Sequence, residues 1–337
     1  MTEYAKSCFY YPTTILMVDD NQSFLESLVL QLKGEILTAW SSNVRSALQK
    51  ISTNHIPSSI KKVFCVDNDY DTDGEENIHF DISIKNIINE IHNPNRFSHI
   101  STLLVDYSMP ELNGIELCSE IQSESMVKIM LTGEADYRTA ISAFNNGQID
   151  KFFRKNDKDM LKVLVRALLE SQNTYFENLS KPLIDALATD KQHVLQEDFF
   201  WEIFNKICTE NKIVEYYLID KNGSFLLLNQ HAKPFLFIIR TEQEFKNLLD
   251  IAIDNGASKT VILDIKSHKK IPIFFSEEDH KLSVKHWNIL MHNFEKINQN
   301  KDYYFTIIED KVFSNINYSN VISYIKYMKD NDQQYNL

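Results

Sequence analysis

Along its first half the chain alternates short apolar runs with stretches whose apolar residues recur every three or four positions. "TILMVDD" (14–20) is a run of the first kind, and "QSFLESLVLQL" (22–32) follows it with Phe24, Leu25, Leu28 and Leu32 at helical spacing. The alternation continues with "EILTAW" and "NVRSALQKI", then "STLLVDY" (101–107) and "GIELCSEIQ" (114–122). "VKIMLTG" (127–133) precedes "YRTAISAFNNG" (137–147), where Asn146–Gly147 supplies a helix stop. "IDKFF" (149–153) and "DKDMLKVLVRALLESQ" (157–172) close the series. Five strand–helix pairs predict an α/β, doubly wound, five-stranded parallel sheet.

One interval breaks the rhythm. Residues 52–99 are too long for a single connection; they hold the acidic run "DNDYDTDGEE" (67–76) and the helical "ISIKNIINEIH" (82–92), and read as an insertion. Helical spacing persists beyond Gln172 through Phe176 and Leu179, and Pro182 is expected to end that helix or to open a new one. Beyond about residue 195 the pattern changes. "EDFFWEIFNKI" reads as a helix, and "VEYYLIDKNGSFLLLN" as two strands around an Asn-Gly hairpin, with "PFLFIIR" as the next strand. "TEQEFKNLLDIAIDNG" opens on the capping pair Thr241 and Glu244 and stops at Gly256. "KTVILDI", "IPIFF" and "DYYFTIIED" are expected as strands, and "LSVKHWNILMHNFEKI" and "VISYIKYM" as helices. The expected organisation is a first domain over 1–175 with the insertion at about 52–99, a helical linker over 176–195, and an α+β domain with a largely antiparallel sheet over 196–337.

Composition narrows the classes. The 337 residues carry a net charge of −12, with 7 Gly and 7 Pro and an apolar fraction of 43%, which suits folded domains and disfavours non-specific binding to nucleic acid or anionic membranes. Residues 181–337 hold 19 Lys+Arg against 22 Asp+Glu, a net of −3, leaving −9 for residues 1–180. The second half thus lacks the basic surface and paired helices of a typical DNA-binding output; its local basic cluster, "SHKKIP" (267–272), reads as a solvated turn. Cys8, Cys65, Cys118 and Cys208 form no CxxC pattern and read as buried free thiols. No leader and no apolar run near the ~20 residues of a membrane span is seen. A cytoplasmic, membrane-free protein is expected.

The polar residues at the strand ends carry the chemistry. In a doubly wound sheet, ligands bind beyond the carboxyl ends of the strands. The first strand delivers Asp19 and Asp20 to that edge, "STLLVDY" delivers Asp106, the next strand Thr132 followed by Gly133, and the last Lys155. Three carboxylates at one edge repel each other, and a divalent cation with hard oxygen ligands, Mg²⁺, relieves the repulsion. Asp106 is then free to attack a phosphorus atom, with Thr132 and Lys155 as donors to the incoming phosphoryl oxygens. Singly, each acid reads as a helix cap and Thr132 as a strand residue; the joint pattern is what points to phosphoryl chemistry.

"ILMVDDN", "LLVDYSMPELNG", "KIMLTG" and "FFRK" together resemble the receiver domain of two-component response regulators, over roughly residues 10–175 apart from the insertion. The resemblance implies a flavodoxin-like receiver with Asp106 as phosphoacceptor, Asp20 binding Mg²⁺ directly, Asp19 through water, and the backbone carbonyl of Ser108 completing the protein ligands. It implies that Thr132 and Lys155 contact the phosphoryl group, that Phe152 is the aromatic switch, and that a sensor histidine kinase is the partner. The receiver would catalyse its own phosphorylation and dephosphorylation. Asn156 follows Lys155 where many receivers have Pro, and Ser108 is small where many carry a longer polar group. The insertion, "NPNRFSHI" and "YYLIDKNGSFLLLN" resemble a narrower group, the quorum-sensing response regulators of the Legionella type.

Other readings compete. Phosphatases of the haloacid dehalogenase type also use a strand-end Asp and Mg²⁺, but need a second Asp two residues on, where this chain has Ser108. A receiver-controlled nucleotide-binding or nucleotide-processing output enzyme is the alternative for the second half, with strand-end acids such as Asp220 and Asp264 but no glycine-rich phosphate loop. Asp69, Asp71, Asp73 and Gly74 fit the start of a calcium loop, but Glu76 and Phe80 stand where an apolar residue and a bidentate Glu belong. Finally, Leu161, Leu164, Val165, Leu168, Phe176 and Leu179 form a stripe longer than one sheet face needs. It is expected to pack on the second half or, in a homodimer through residues 137–179, on a second copy.

Overall fold

Every residue of Thr14–Val18 is buried, and so is every residue of Ile100–Asp106. Such strands suit the interior of a parallel sheet covered by helices on both faces. A computed structural model describes residues 4–54, 64–70, 76–121, 123, 125–133, 136–187, 193–298, 301–309 and 316–334. After a two-residue strand at Phe9–Tyr10, the elements run in chain order as β1 (Thr14–Val18), α1 (Gln22–Leu32), β2 (Leu37–Ser41) and α2 (Val44–Thr53). The insertion follows as β3 (Phe64–Tyr70), β4 (Glu76–Ile82) and α3 (Ile84–His92). Then come β5 (Ile100–Asp106), α4 (Gly114–Glu120), β6 (Val127–Thr132), α5 (Tyr137–Asn145), β7 (Lys151–Arg154) and α6 (Met160–Leu187). The sheet runs β2-β1-β5-β6-β7 with all neighbours parallel, the doubly wound order expected. Asn21, Asn43 and Asn113 start α1, α2 and α4 by accepting backbone N–H groups of those helices.

Within the insertion, β3 and β4 form an antiparallel hairpin from Phe64↔Ile82 to Tyr70↔Glu76. Asp71, Asp73 and Gly74 of the compared calcium loop lie outside the described residues.

Helix α6 is continuous through Pro182, where the sequence suggests a break. The turn before the proline is anchored, because Ser180 is buried and its hydroxyl accepts the N–H of Cys8 at 2.9 Å. The long stripe of α6 is covered in part from within its own unit. Leu164, Leu168 and Phe176 are fully buried. The rings of Phe9, Tyr10 and Tyr11 lie 5.5, 5.0 and 5.1 Å from that of Phe176. Gln172, the polar gap in the stripe, accepts the N–H of Thr13 at 3.3 Å. The N-terminal segment of the same chain therefore covers the extension, and the stripe itself gives no reason for a second copy.

The later elements are α7 (Asp198–Glu210), β8 (Ile213–Leu218), β9 (Phe225–Asn229), β10 (Pro234–Thr241), α8 (Glu242–Asp254) and α9 (Lys259–Lys266). They continue as β11 (Lys270–Pro272), α10 (Glu277–Lys281), β12 (Met291–Asn293), β13 (Glu295–Asn298), β14 (Lys301–Glu309) and α11 (Tyr324–Gln334). Strands β8-β9-β10-β14-β13 are antiparallel neighbours in that order, as the hairpin signals imply. Phe200, Trp201 and Phe204 of α7 pack among Tyr216, Phe225 and Phe237 of this sheet.

Two elements differ from expectation. "KTVILDI" is helix α9 rather than a strand: Ser258 caps it, Val261 and Ile265 are buried one turn apart, and Leu263 between them is 63% exposed. "LSVKHWNILMHNFEKI" is not a helix. It forms a short 3₁₀ turn, Val284–Ile289, and then β12 and β13, which pair with β11 and β14.

Residues 1–62, 89–182 and 324–337 make one compact unit, and 63–88 and 183–323 another. The units are interleaved along the chain. In the first unit, α11 places Tyr324 and Tyr327 against buried Phe97, with ring centroids 5.5 and 5.1 Å away. No helix among the described residues is long and apolar enough to cross a membrane.

Candidate functional site

Register alone assembles the site. Val18 pairs with Val105, so the next residues, Asp19 and Asp106, emerge side by side at the carboxyl ends of β1 and β5. Asp106 pairs with Leu131, which places Thr132 one step beyond; Thr132 pairs with Arg154, which places Lys155 at the same edge. Side-chain oxygens of Asp19, Asp20 and Asp106 lie within 4.8 Å of one another. Asp19 and Asp106 are buried and Asp20 is exposed. Among the described residues no other group of three His, Cys, Asp or Glu side chains converges in this way.

Lys155 bridges the buried pair. Its Nζ lies 2.6 Å from Asp19 Oδ2 and 2.8 Å from Asp106 Oδ1. The ammonium also sits 4.9 Å from the ring centroid of Phe24, at the start of α1. Burial pushes the Asp106 carboxyl above its usual range, and the Lys155 ammonium and the Ser108 N–H offset this only in part. Burial works against the charge of Lys155 too, but hydrogen bonds to Asp106 and Asp19 outweigh it and raise its pKa. One ammonium thus faces two buried carboxylates, with a third at the rim. This excess of hard oxygen donors fits a divalent cation such as Mg²⁺.

The remaining expected residues are placed as follows. The Ser108 N–H donates to Asp106 Oδ2 at 3.2 Å, and its hydroxyl donates to Asp136 Oδ2 at 3.2 Å. Thr132 is fully buried at the end of β6, with its hydroxyl donating to the Gly133 carbonyl and its own carbonyl accepting the N–H of Lys155. Phe152 is half-buried, with its ring centroid 5.5 Å from that of Tyr137 and 6.1 Å from that of Phe144. The Lys155–Asn156 peptide is trans. The acids named in the second half serve structure: Asp220 accepts the N–H groups of Asn222 and Ser224 and pairs with Arg240 at 3.1 Å. Asp264 lies within α9 and not at a strand end.

Several contributors escape the sequence reading. Asn21 donates its N–H to Asp19 Oδ1 at 2.9 Å while capping α1, which fixes the carboxylate that Lys155 meets. Its signal is its place as the polar residue before an apolar-periodic run. Gly114 reads as a turn residue, but its role is close approach: a Cβ there would collide with the backbone oxygen of Asp106. Asp136 carries no local signal, since only the tertiary fold brings it to Ser108.

No family model matches the chain. The solved structure of the Legionella pneumophila response regulator LqsR is similar over 99% of this chain and 98% of that one, with a TM-score of 0.79 and 27% identity. Response regulator ArlR of Staphylococcus aureus is 25% identical over 165 residues, 41% of this chain and 73% of ArlR. Regulatory protein AtoC of Escherichia coli is 32% identical over 101 residues, 29% of this chain, and the match spans only 22% of AtoC. The five-stranded parallel sheet, the acids at its carboxyl edge and the likeness to LqsR over nearly the whole chain lead to one conclusion: this chain is a response regulator with a receiver domain.

Proposed function

We propose that the protein works in a two-component phosphorelay, taking a phosphoryl group onto Asp106 from a sensor histidine kinase and switching the second unit in response. The observation that carries this is the convergence of Asp19, Asp20, Asp106 and Lys155 at the carboxyl edge of the sheet. A carboxylate oxygen of Asp106 forms the new O–P bond, the P–N bond of the donor phosphohistidine breaks, and its electron pair stays on the imidazole. Asp19, Asp20, Asp106 and the Ser108 carbonyl would hold Mg²⁺, which when bound offsets the negative charge of the incoming group. Lys155, already at Asp106, would follow the new phosphoryl oxygens, and the Thr132 hydroxyl would leave the Gly133 carbonyl for them. Phe152 would respond through its packing against Tyr137 and Phe144 of α5.

The likeness to LqsR supports the narrower reading, a cytoplasmic regulator in a quorum-sensing circuit. For a homodimer, the support moves from the buried stripe of α6 to apolar residues that face solvent: Ile141, Phe144 and Val163, exposed to 37%, 47% and 49%.

Labelling tests the core of the proposal. With Mg²⁺ and a radiolabelled acyl phosphate, wild type incorporates phosphate, while Asp106→Asn keeps its fold and incorporates none. Asp20→Ala loses the Mg²⁺-dependent part. Undiminished labelling of Asp106→Asn overturns the assignment.

A further inference from the structure

Four contacts close a ring that starts and ends at Asp19. The Asn21 N–H donates to Asp19 Oδ1 at 2.9 Å, and Asn21 Oδ1 accepts the N–H of Phe24 at 3.0 Å. The ring centroid of Phe24 lies 4.9 Å from Lys155 Nζ, and that ammonium donates to Asp19 Oδ2 at 2.6 Å. The turn that starts α1 thus carries Phe24 back to the lysine of the site. The sequence accounts for the placement: Asn21 caps the helix, and Phe24 is its third residue, half-buried beside the buried Leu25 and Leu28.

An ammonium has three N–H donors. Asp19 and Asp106 stand 2.6 and 2.8 Å from Lys155 Nζ, and Phe24 is the third group against it. A phenyl face within about 6 Å attracts a cation through its quadrupole, and more strongly as water is excluded. The Lys155 side chain is only 25% exposed. The three contacts differ in what else they serve. Both carboxylates belong to the group that fits a divalent cation, and Asp106 is also the nucleophile of the proposed reaction. A carboxylate whose charge is shared in this way attracts an ammonium less. Phe24 has no second task, so its ring offers the ammonium the same face throughout.

We propose that Phe24 is a positioning residue for phosphoryl transfer: its ring holds the Lys155 ammonium beside Asp106 while the two carboxylates serve the metal and the phosphorus. This rests on the reading of Asp106 as phosphoacceptor. Phe24 acts through Lys155, so its effect depends on that ammonium and on the electrons of its own ring.

Two measurements on the full-length chain test the role. The first needs no metal. In chelating buffer, Phe24→Leu lowers the melting temperature of wild type by about 2–4 °C more than it lowers that of Lys155→Met, because only wild type has the cation–ring contact to lose. Equal drops in the two backgrounds overturn the contact. The second is labelling with Mg²⁺ and a radiolabelled acyl phosphate, in which an Asp106 oxygen forms the O–P bond and the donor's carboxylate leaves with the electron pair of the broken one. At saturating donor, Phe24→Leu labels about three- to tenfold more slowly than wild type, the half-saturating donor concentration is unchanged, and Phe24→Tyr restores the rate. One to three fluorines on the Phe24 ring weaken its negative face at nearly constant size, and the rate falls in step with their number. A rate indifferent to fluorination shows that the ring only fills space and overturns the role. So does labelling of Phe24→Leu at the wild-type rate. Wild type that takes no label overturns the phosphoacceptor reading and this role with it, whereas the melting comparison still decides whether Phe24 holds Lys155.

Discussion

The Nζ of Lys155 lies 2.8 Å from Oδ1 of Asp106. The same ammonium holds Asp19, so removing it leaves two buried carboxylates without their cation. A fully buried pair loses ~3–5 kcal/mol when one partner goes. Lys155 keeps a quarter of its side chain exposed, so Lys155→Ala should cost on the order of 2 kcal/mol. Thermal unfolding in a chelating buffer should show the loss, and millimolar Mg²⁺ should restore part of it. Equal melting of mutant and wild type in chelator would remove Lys155 from this role.

The raised carboxyl of Asp106 has a stability consequence of defined sign. A raised native pKa means the folded state binds the proton more tightly than the unfolded one, so ionisation at neutral pH costs stability. Asp106→Asn should therefore melt above wild type at pH 7 without divalent cations, with the difference shrinking as pH falls through the carboxylate range. Added Mg²⁺ should stabilise wild type more than the mutant. A mutant that melts below wild type in chelator contradicts this account.

For Lys155 the sign is opposite in effect. Its native pKa is raised, so its contribution is complete below the ordinary lysine value of ~10.4 and is lost as pH rises through the higher native value. The stability gap between wild type and Lys155→Met in urea should stay level from neutral pH to about 10 and close above that. Buried tyrosines titrate in both proteins, and the difference removes them. A gap that closes already near pH 8 would contradict the raised value.

Phe176 and Val163 lie on the same helix and should behave differently. Phe176 is fully buried, so Phe176→Ala should cost about 3–5 kcal/mol in chemical denaturation. Val163 faces solvent, so Val163→Asp, alone or with Phe144→Asp, should change stability by less than about 1 kcal/mol. If the protein dimerises through this face, those variants sediment as monomers where wild type does not. Wild type that stays monomeric with and without beryllofluoride removes the dimer.

Gly114→Ala should disturb the site from behind. The added methyl collides with the Asp106 carbonyl, and overpacking of this kind costs about 1–3 kcal/mol. The phosphate-labelling rate should fall with it. Wild-type labelling in Gly114→Ala would show that the loop yields without moving Asp106.

The receiver was legible because each strand announces itself twice, by an unbroken apolar run and by the polar residue that ends it. Asp19, Asp106, Thr132 and Lys155 meet because parallel register sets them one step beyond paired residues. The second half was less legible where local and tertiary preferences diverge. Buried Trp287, Leu290, Phe294 and Ile297 are spaced three, four and three apart and imitate a helix. The Phe294 N–H instead donates to the Lys269 carbonyl, and the chain bends there into two short strands, a pairing no local pattern encodes. The β-branched run at Lys259–Lys266 errs in the opposite sense: Ser258 and one buried face suffice for a helix.

The packing of α11 on Phe97 bears on the order in which the protein can be finished. Phe97 leaves the ribosome with the core of the first unit, but Tyr324 and Tyr327, which cover its ring, are made only after residues 183–323. Until then the nascent first unit carries an uncovered aromatic face while the whole of 183–323 is synthesised. Docking of α11 on Phe97 thus waits for the synthesis of residues 183–323, and a chain cut short before Tyr324 would leave the first unit open at Phe97.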